Sequence, residues 1–199
     1  MNRVVDRRDR VIEDPRFIRE LFNNTRLAWI WVPIRLFVAY QWLSSGWSKF
    51  TNPAWMDNGA ALQAYWTNAL RMDPRPVITY DWYRAFIQTL VDLQAWTWFS
   101  KVIVFGELAV GIGLLLGAFT GIAALGGMTM NLNFMLAGSA STNPALFVLQ
   151  LLIFLAWKTA GYYGLDRFLL PALGVPWALQ PRSSAVGAPP NPTVSVTNR

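Results

Sequence analysis

Residues 98–119 read WFSKVIVFGELAVGIGLLLGAF, and residues 121–138 read GIAALGGMTMNLNFMLAG. Each run is close to the ~20 residues that cross a hydrocarbon core at ~1.5 Å per residue. Only Thr120 separates them. So short a link forces an antiparallel helical hairpin. Further out, residues 27–46 form an earlier apolar run and residues 145–163 a later one. Residues 139–144, SASTNP, carry loop chemistry, with Thr142 or Asn143 as the helix cap ahead of Pro144. The pattern predicts an all-α fold, an integral membrane four-helix bundle with four spans.

Composition agrees. Of 199 residues, 54% are hydrophobic and only 14% are charged, against about 25% charged in average soluble domains. The chain has eleven Trp, no Cys and no His. Without His there is no imidazole ligand for haem or zinc and no imidazole base. Without Cys there is no thiolate cluster site, disulfide or thiol nucleophile. A redox role therefore requires an organic carrier, or a partner subunit that holds the metals.

Residues 1–26 read as a charged cytoplasmic arm in which Arg3, Arg7, Arg8, Arg10, Arg16 and Arg19 alternate with acids. The stretch 16–23 is its helical part. No A-x-A cleavage signal follows the first apolar run, so no cleaved signal peptide is expected. Residues 171–199 form a tail that from Pro181 is rich in Pro and Ser and is expected to be disordered. Arg26, Lys158, Arg167, Arg182 and Arg199 add to the charge at the termini, so the positive-inside rule puts both ends in the cytoplasm.

The loop of residues 50–95, expected to be extracytoplasmic, has too few consecutive apolar residues for a fifth span, yet it is not a polar linker. Stretches 59–70 and 80–93 nevertheless carry helical spacing of apolar residues, separated by Asp73-Pro74-Arg75-Pro76. They read as short amphipathic helices. Their aromatics, among them Trp55, Tyr65, Trp66, Tyr80, Trp82, Tyr83, Phe86 and Trp96, are expected at the headgroup level, as anchors or as a lid.

Two ionisable residues sit well inside predicted spans, and charge at that depth has a reason. Arg35 lies mid-way along the first and Glu107 about a third of the way into the second. At ~100° per residue, Trp31, Arg35, Trp42, Gly46 and Lys49 fall within roughly 40° of one line, a stripe that must face the bundle interior. One reading pairs Arg35 with Glu107 as a helix lock. The other has Glu107 handle protons or bond a quinone carbonyl, with Arg35 or Lys49 as its electrostatic partner. Lys49 and Glu107 both lie toward the outer end, so their contact is at least as easy as that of Glu107 with Arg35. Ala109, Gly113, Gly117 and Gly121 form a small-residue series suited to close helix packing. Asn131 and Asn133 point to different sides, so at most one faces the bundle centre. Lys158 is expected to snorkel, and Asp166 with Arg167 to form an interfacial cap.

The elements Arg35-Leu36-Phe37-Val38-Ala39-Tyr40, Gly46-Trp47-Ser48-Lys49-Phe50, Gly106-Glu107-Leu108-Ala109-Val110-Gly111 and Ala160-Gly161-Tyr162-Tyr163-Gly164-Leu165-Asp166 together resemble the DoxX-like membrane proteins. These include the DoxD-type small subunit of thiosulfate:quinone oxidoreductase. The resemblance covers about residues 27–170, the expected membrane domain. It implies a four-helix membrane bundle in a bacterial or archaeal cytoplasmic membrane and an accessory or quinone-side subunit of a redox complex. Arg35, Trp42, Lys49, Glu107 and Asn131 are the candidate cofactor-binding residues. No cofactor is intrinsic, and quinone is the candidate ligand. The expected partners are the lipid bilayer and other membrane subunits, held through the arm and tail; nucleic acid is not expected. A structural or assembly subunit without a substrate is the second reading, and a small transporter the third.

Overall fold

The computed structural model describes residues 15–175, which are all-helical with no strands among them. The elements are α1 (Arg16–Asn23), a 3-10 turn (Thr25–Ile30), α2 (Trp31–Phe50), α3 (Pro53–Met56), α4 (Ala60–Ala69) and α5 (Asp81–Asp92). They continue with α6 (Trp96–Leu116), α7 (Thr120–Leu136), α8 (Asn143–Leu155), α9 (Trp157–Ala160) and α10 (Asp166–Ala172). The arginine-rich residues before 15 and the Pro-rich tail lie outside the described residues.

The expected hairpin is α6 and α7. Gly117 ends α6 in the left-handed region at φ 62°, a conformation that costs an L side chain about 1–2 kcal/mol. Its position returns the Ala118 amide to the Gly113 carbonyl at 2.9 Å, and the chain turns at once into α7. The series Ala109–Gly113–Gly117–Gly121 is therefore not one continuous helical ridge: the turn breaks it at Gly117.

The four longest helices close a ring: α2 packs on α6, α6 on α7, α7 on α8, and α8 back on α2. The α2–α6 contact is the most intimate, and its cause is two glycines. A Cβ on Gly46 would lie 2.9 Å from Leu108 Cδ2, and one on Gly111 would lie 2.7 Å from Leu43 Cγ. Each backbone takes a leucine of the other helix into the missing volume. The space at Gly111 is thus filled by a helix rather than a ligand. Trp31, Val38, Leu114, Ala124 and Ile153 fill the ring's interior. The outward faces carry exposed Phe37, Tyr40, Val102, Phe105, Ile112, Ile122, Val148 and Leu155.

Among the described residues, α6 alone is both long and apolar enough to cross a membrane; α8 is apolar but shorter. The fourth apolar run does not stay helical to residue 163, because α8 stops at Leu155 and the chain breaks at Ala156 before α9. α2 has the length but is diluted by Arg35, Gln41, Ser44, Ser45, Ser48 and Lys49. Arg35 also stands in the first turns of α2, not at its middle, since residues 25–30 form the 3-10 turn.

α4 and α5 occupy almost the stretches expected of them, yet they do more than lie flat. Leu62, Trp66, Ile78, Tyr83 and Ile87 build a second core with Ala95 and Ile103 of the α6 end. Trp66 and Tyr83 are each 3% exposed. The loop aromatics therefore divide: Trp66 and Tyr83 are core, while Tyr80, Trp82 and Phe86 remain exposed. At the other end α1 docks on the bundle. Trp31 Nε1 donates to the Leu21 carbonyl at 3.1 Å, and Thr159 Oγ1 donates to that of Phe22 at 3.0 Å.

Candidate functional site

The sequence-derived residues separate into two polar centres. Arg35 and Lys49 lie on one face of α2, but the ~14 residues between them span about 21 Å of helix. Glu107 belongs with Lys49.

Lys49 Nζ lies 2.6 Å from Glu107 Oε1 and 2.8 Å from Oε2, and it donates to Ser45 Oγ at 2.8 Å. An ammonium has three hydrogens, so its donors are fully used. The one-turn spacing of Ser45 and Lys49 puts both groups on the same side of α2, facing α6. Glu107 is 1% exposed, while the Lys49 side chain keeps 19% exposure. Trp55 and Phe134 flank the ammonium, with ring centroids at 5.3 and 5.8 Å, and add cation–π attraction.

This pair borders a cavity of about 530 Å³ whose lining includes Trp42, Ser48, Lys49, Tyr65, Glu107 and Asn131. Four of the five expected ligand-binding residues thus share one space. Behind it runs a buried amide network that ties three helices together. Gln150 of α8 accepts from Trp42 Nε1 at 2.7 Å once its oxygen faces the indole, which turns its nitrogen toward the Leu146 carbonyl at 3.2 Å and toward Asn131 at 2.5 Å. The Asn131 oxygen must then face that nitrogen, leaving the Asn131 NH₂ on the opposite side, where the buried amide atom has no protein partner. Asn131 is fully buried and forms part of the cavity wall. Asn133 points elsewhere, accepting from Tyr83 Oη at 3.2 Å and donating to the Thr129 carbonyl at 2.8 Å.

Two tyrosines outside the long helices are held protonated. Burial pushes the Tyr83 hydroxyl up to about 12, with Tyr65 contributing. Burial raises Tyr65 too, opposed by its hydrogen bond with Ser139. At neutral pH both donate, Tyr65 Oη to the Phe134 carbonyl at 3.4 Å and Tyr83 Oη to the Asn133 carbonyl at 3.0 Å, and Tyr65 lines the cavity.

The second centre is a latch at the far end. Arg35 is 2% exposed and donates from Nη2 to the Tyr163 carbonyl at 3.2 Å. Its acidic neighbour is Asp166, not Glu107. The Asp166 carboxylate accepts from the Phe119 amide at 2.7 Å and the Thr120 amide at 2.9 Å, N–H groups at the start of α7 that have no partner within the helix. Gly117 and Gly164 make room: a Cβ on either would lie 1.6 Å and 2.7 Å from Arg35 Nη1. Asp166 is thus a buried cap at 1% exposure rather than an interfacial one.

Sequence reasoning missed Gln150, Tyr65 and Asp166 as network members. Gln150 had a signal, as the single amide in the apolar run of α8. Among the described residues no three acidic side chains cluster as a metal site. Comparison with family models, curated proteins and solved structures finds no match.

Proposed function

We propose that the chain is a DoxX-like integral membrane subunit that holds a quinone headgroup in the cavity between α2, α6 and α7. It would serve the quinone side of a membrane redox complex. The observation that carries this reading is the cavity's chemistry. Glu107 already neutralises Lys49, so the space suits a neutral, carbonyl-bearing headgroup. The Asn131 NH₂, left spare once Gln150 turns its nitrogen toward Asn131, is the donor such a carbonyl needs; the Tyr65 hydroxyl, which donates to the Phe134 carbonyl at 3.4 Å, borders the same space. Electrons would come from another subunit, because a chain without His or Cys lacks the usual haem and cluster ligands.

The membrane setting rests on apolar α6 and on the large apolar side chains that α2, α7 and α8 turn outward. With these four helices as spans, both termini lie in the cytoplasm of a bacterial or archaeal cell. The polar residues that dilute α2 then face the cavity or the latch.

A second reading, a structural subunit that binds no substrate, is favoured by the saturated donors of Lys49. The deciding experiment measures quinone binding to the purified protein in nanodiscs by Trp fluorescence quenching. Asn131→Leu is expected to weaken binding about tenfold, the worth of one good hydrogen bond. Wild-type protein that binds no quinone would sink the pocket and leave the structural reading.

A further inference from the structure

The polar cavity has an apolar neighbour. A cleft of about 1100 Å³ lies between α6 and α7 and runs under α4 and α5. Its walls include Trp66, Phe86, Ile103, Val110, Ile122 and Met130. The few polar groups along it are already satisfied. Tyr83 Oη donates to the Asn133 carbonyl at 3.0 Å, Asn133 Nδ2 to the Thr129 carbonyl, and Thr129 Oγ1 to the Leu125 carbonyl at 3.0 Å. Nothing in the cleft can hold a headgroup, so it suits a hydrocarbon chain and little else. Its volume exceeds the ~300–1,000 Å³ of ordinary small-molecule pockets.

Tyr65 and Phe134 belong to both spaces. They form a sill, with a polar compartment on one side and an apolar one on the other. We propose that the two compartments take one amphiphile: the cleft receives the single polyprenyl chain of a quinone whose ring lies beside Lys49, Glu107 and Asn131. This rests on the quinone reading above and extends it to the tail. Charge selects this occupant over a phospholipid. The Lys49 ammonium sits 2.6 and 2.8 Å from the two Glu107 oxygens and leaves no net positive charge for a phosphate.

The glycines of the cleft provide the test. A Cβ on Gly106 would meet only the flexible Met130 thioether, at 3.4 Å, and one on Gly126 only Val110 Cγ2, at 3.6 Å. Gly106→Leu and Gly126→Leu are therefore two independent ways to fill the cleft with little disturbance of the backbone. Binding of a dimethoxy-methyl-benzoquinone, with and without a decyl chain, is measured on full-length protein in phosphatidylcholine nanodiscs at fixed lipid content.

Wild type is expected to prefer the decyl compound about tenfold beyond its lipid partitioning; lipid tails are themselves apolar, so this preference comes from close packing of the chain against the cleft wall. Either leucine variant should lose that preference and keep its affinity for the tail-less ring within about twofold. Equal binding of both compounds to wild type, or a preference unchanged in both variants, overturns the cleft assignment while the ring site stands. Displacement of the decyl compound by phosphatidylglycerol overturns the choice of a neutral single-chain occupant. Failure of wild type to bind either compound overturns the quinone reading, and the tail site with it.

Discussion

Lys49, at the end of α2, grips Glu107, midway along α6, with both carboxylate oxygens within 2.8 Å of its ammonium. The bond joins the helices that are already pressed together at Gly46 and Gly111. Because Glu107 is almost wholly buried, the two partners are not equivalent. Removing the lysine strands a charge; removing the acid leaves a cation with a route to the cavity.

Lys49→Met is therefore expected to cost about 3 kcal/mol, toward the low end for a broken buried pair because the cavity admits some solvent. Glu107→Gln should cost less, and Lys49→Met with Glu107→Leu should recover most of the loss. Thermal unfolding of the detergent-solubilised protein checks the order. A double variant as unstable as the single lysine variant would contradict the account.

Asp166 performs two tasks, and two substitutions separate them. Asp166→Ala removes the acceptor for the first amides of α7 and the counter-charge of Arg35, with an expected loss above the ~1 kcal/mol of an ordinary cap. Asp166→Asn keeps one acceptor oxygen for the amides and loses the charge, so its midpoint should fall between wild type and the alanine variant.

Gly117→Ala meets three obstacles: its left-handed φ, the Arg35 guanidinium, and the Gly164 Cα, which would lie 3.0 Å from the new Cβ. Pairing it with Arg35→Met removes the guanidinium and leaves the other two. The alanine variant should cost more in the wild-type background than in the Arg35→Met background. Equal costs would show that the guanidinium is not what demands glycine there.

The raised Tyr83 hydroxyl predicts an alkaline limit. An unfolded tyrosine ionises near pH 10, whereas Tyr83 in the folded protein holds its proton to about 12. The unfolded state therefore releases its proton first as pH rises, and stability falls between those values. Below pH 9 the contribution is constant. Midpoints measured from pH 8 to 11 should drop less steeply for Tyr83→Phe than for wild type.

Much of this was legible in residue order. Unbroken apolar runs with a one-residue link could only be a helical hairpin. Residue order left Glu107 two partners, Arg35 and Lys49, with the Lys49 contact at least as easy because both groups lie toward the outer end. The partner of Arg35 was not legible. Asp166 follows α8 and a glycine-rich turn, and nothing local states that this turn folds back beneath the α6–α7 link. Nor does the spacing of Trp66 and Tyr83 distinguish a membrane-surface helix from one packed in a second core, because both need the same amphipathic stripe. The tail groove lay beyond sequence altogether, since it is a space left between helices and no residue names it.

The Asp166 cap has a consequence for biosynthesis. The amides it satisfies belong to a turn synthesised nearly fifty residues earlier. While the ribosome is still making α8, the hairpin can form but its turn has no acid to close on. Only when Asp166 emerges do the earliest long helix, the central turn and the start of α10 become one unit. A nascent chain halted before that residue would carry every long helix and still lack the piece that clasps them.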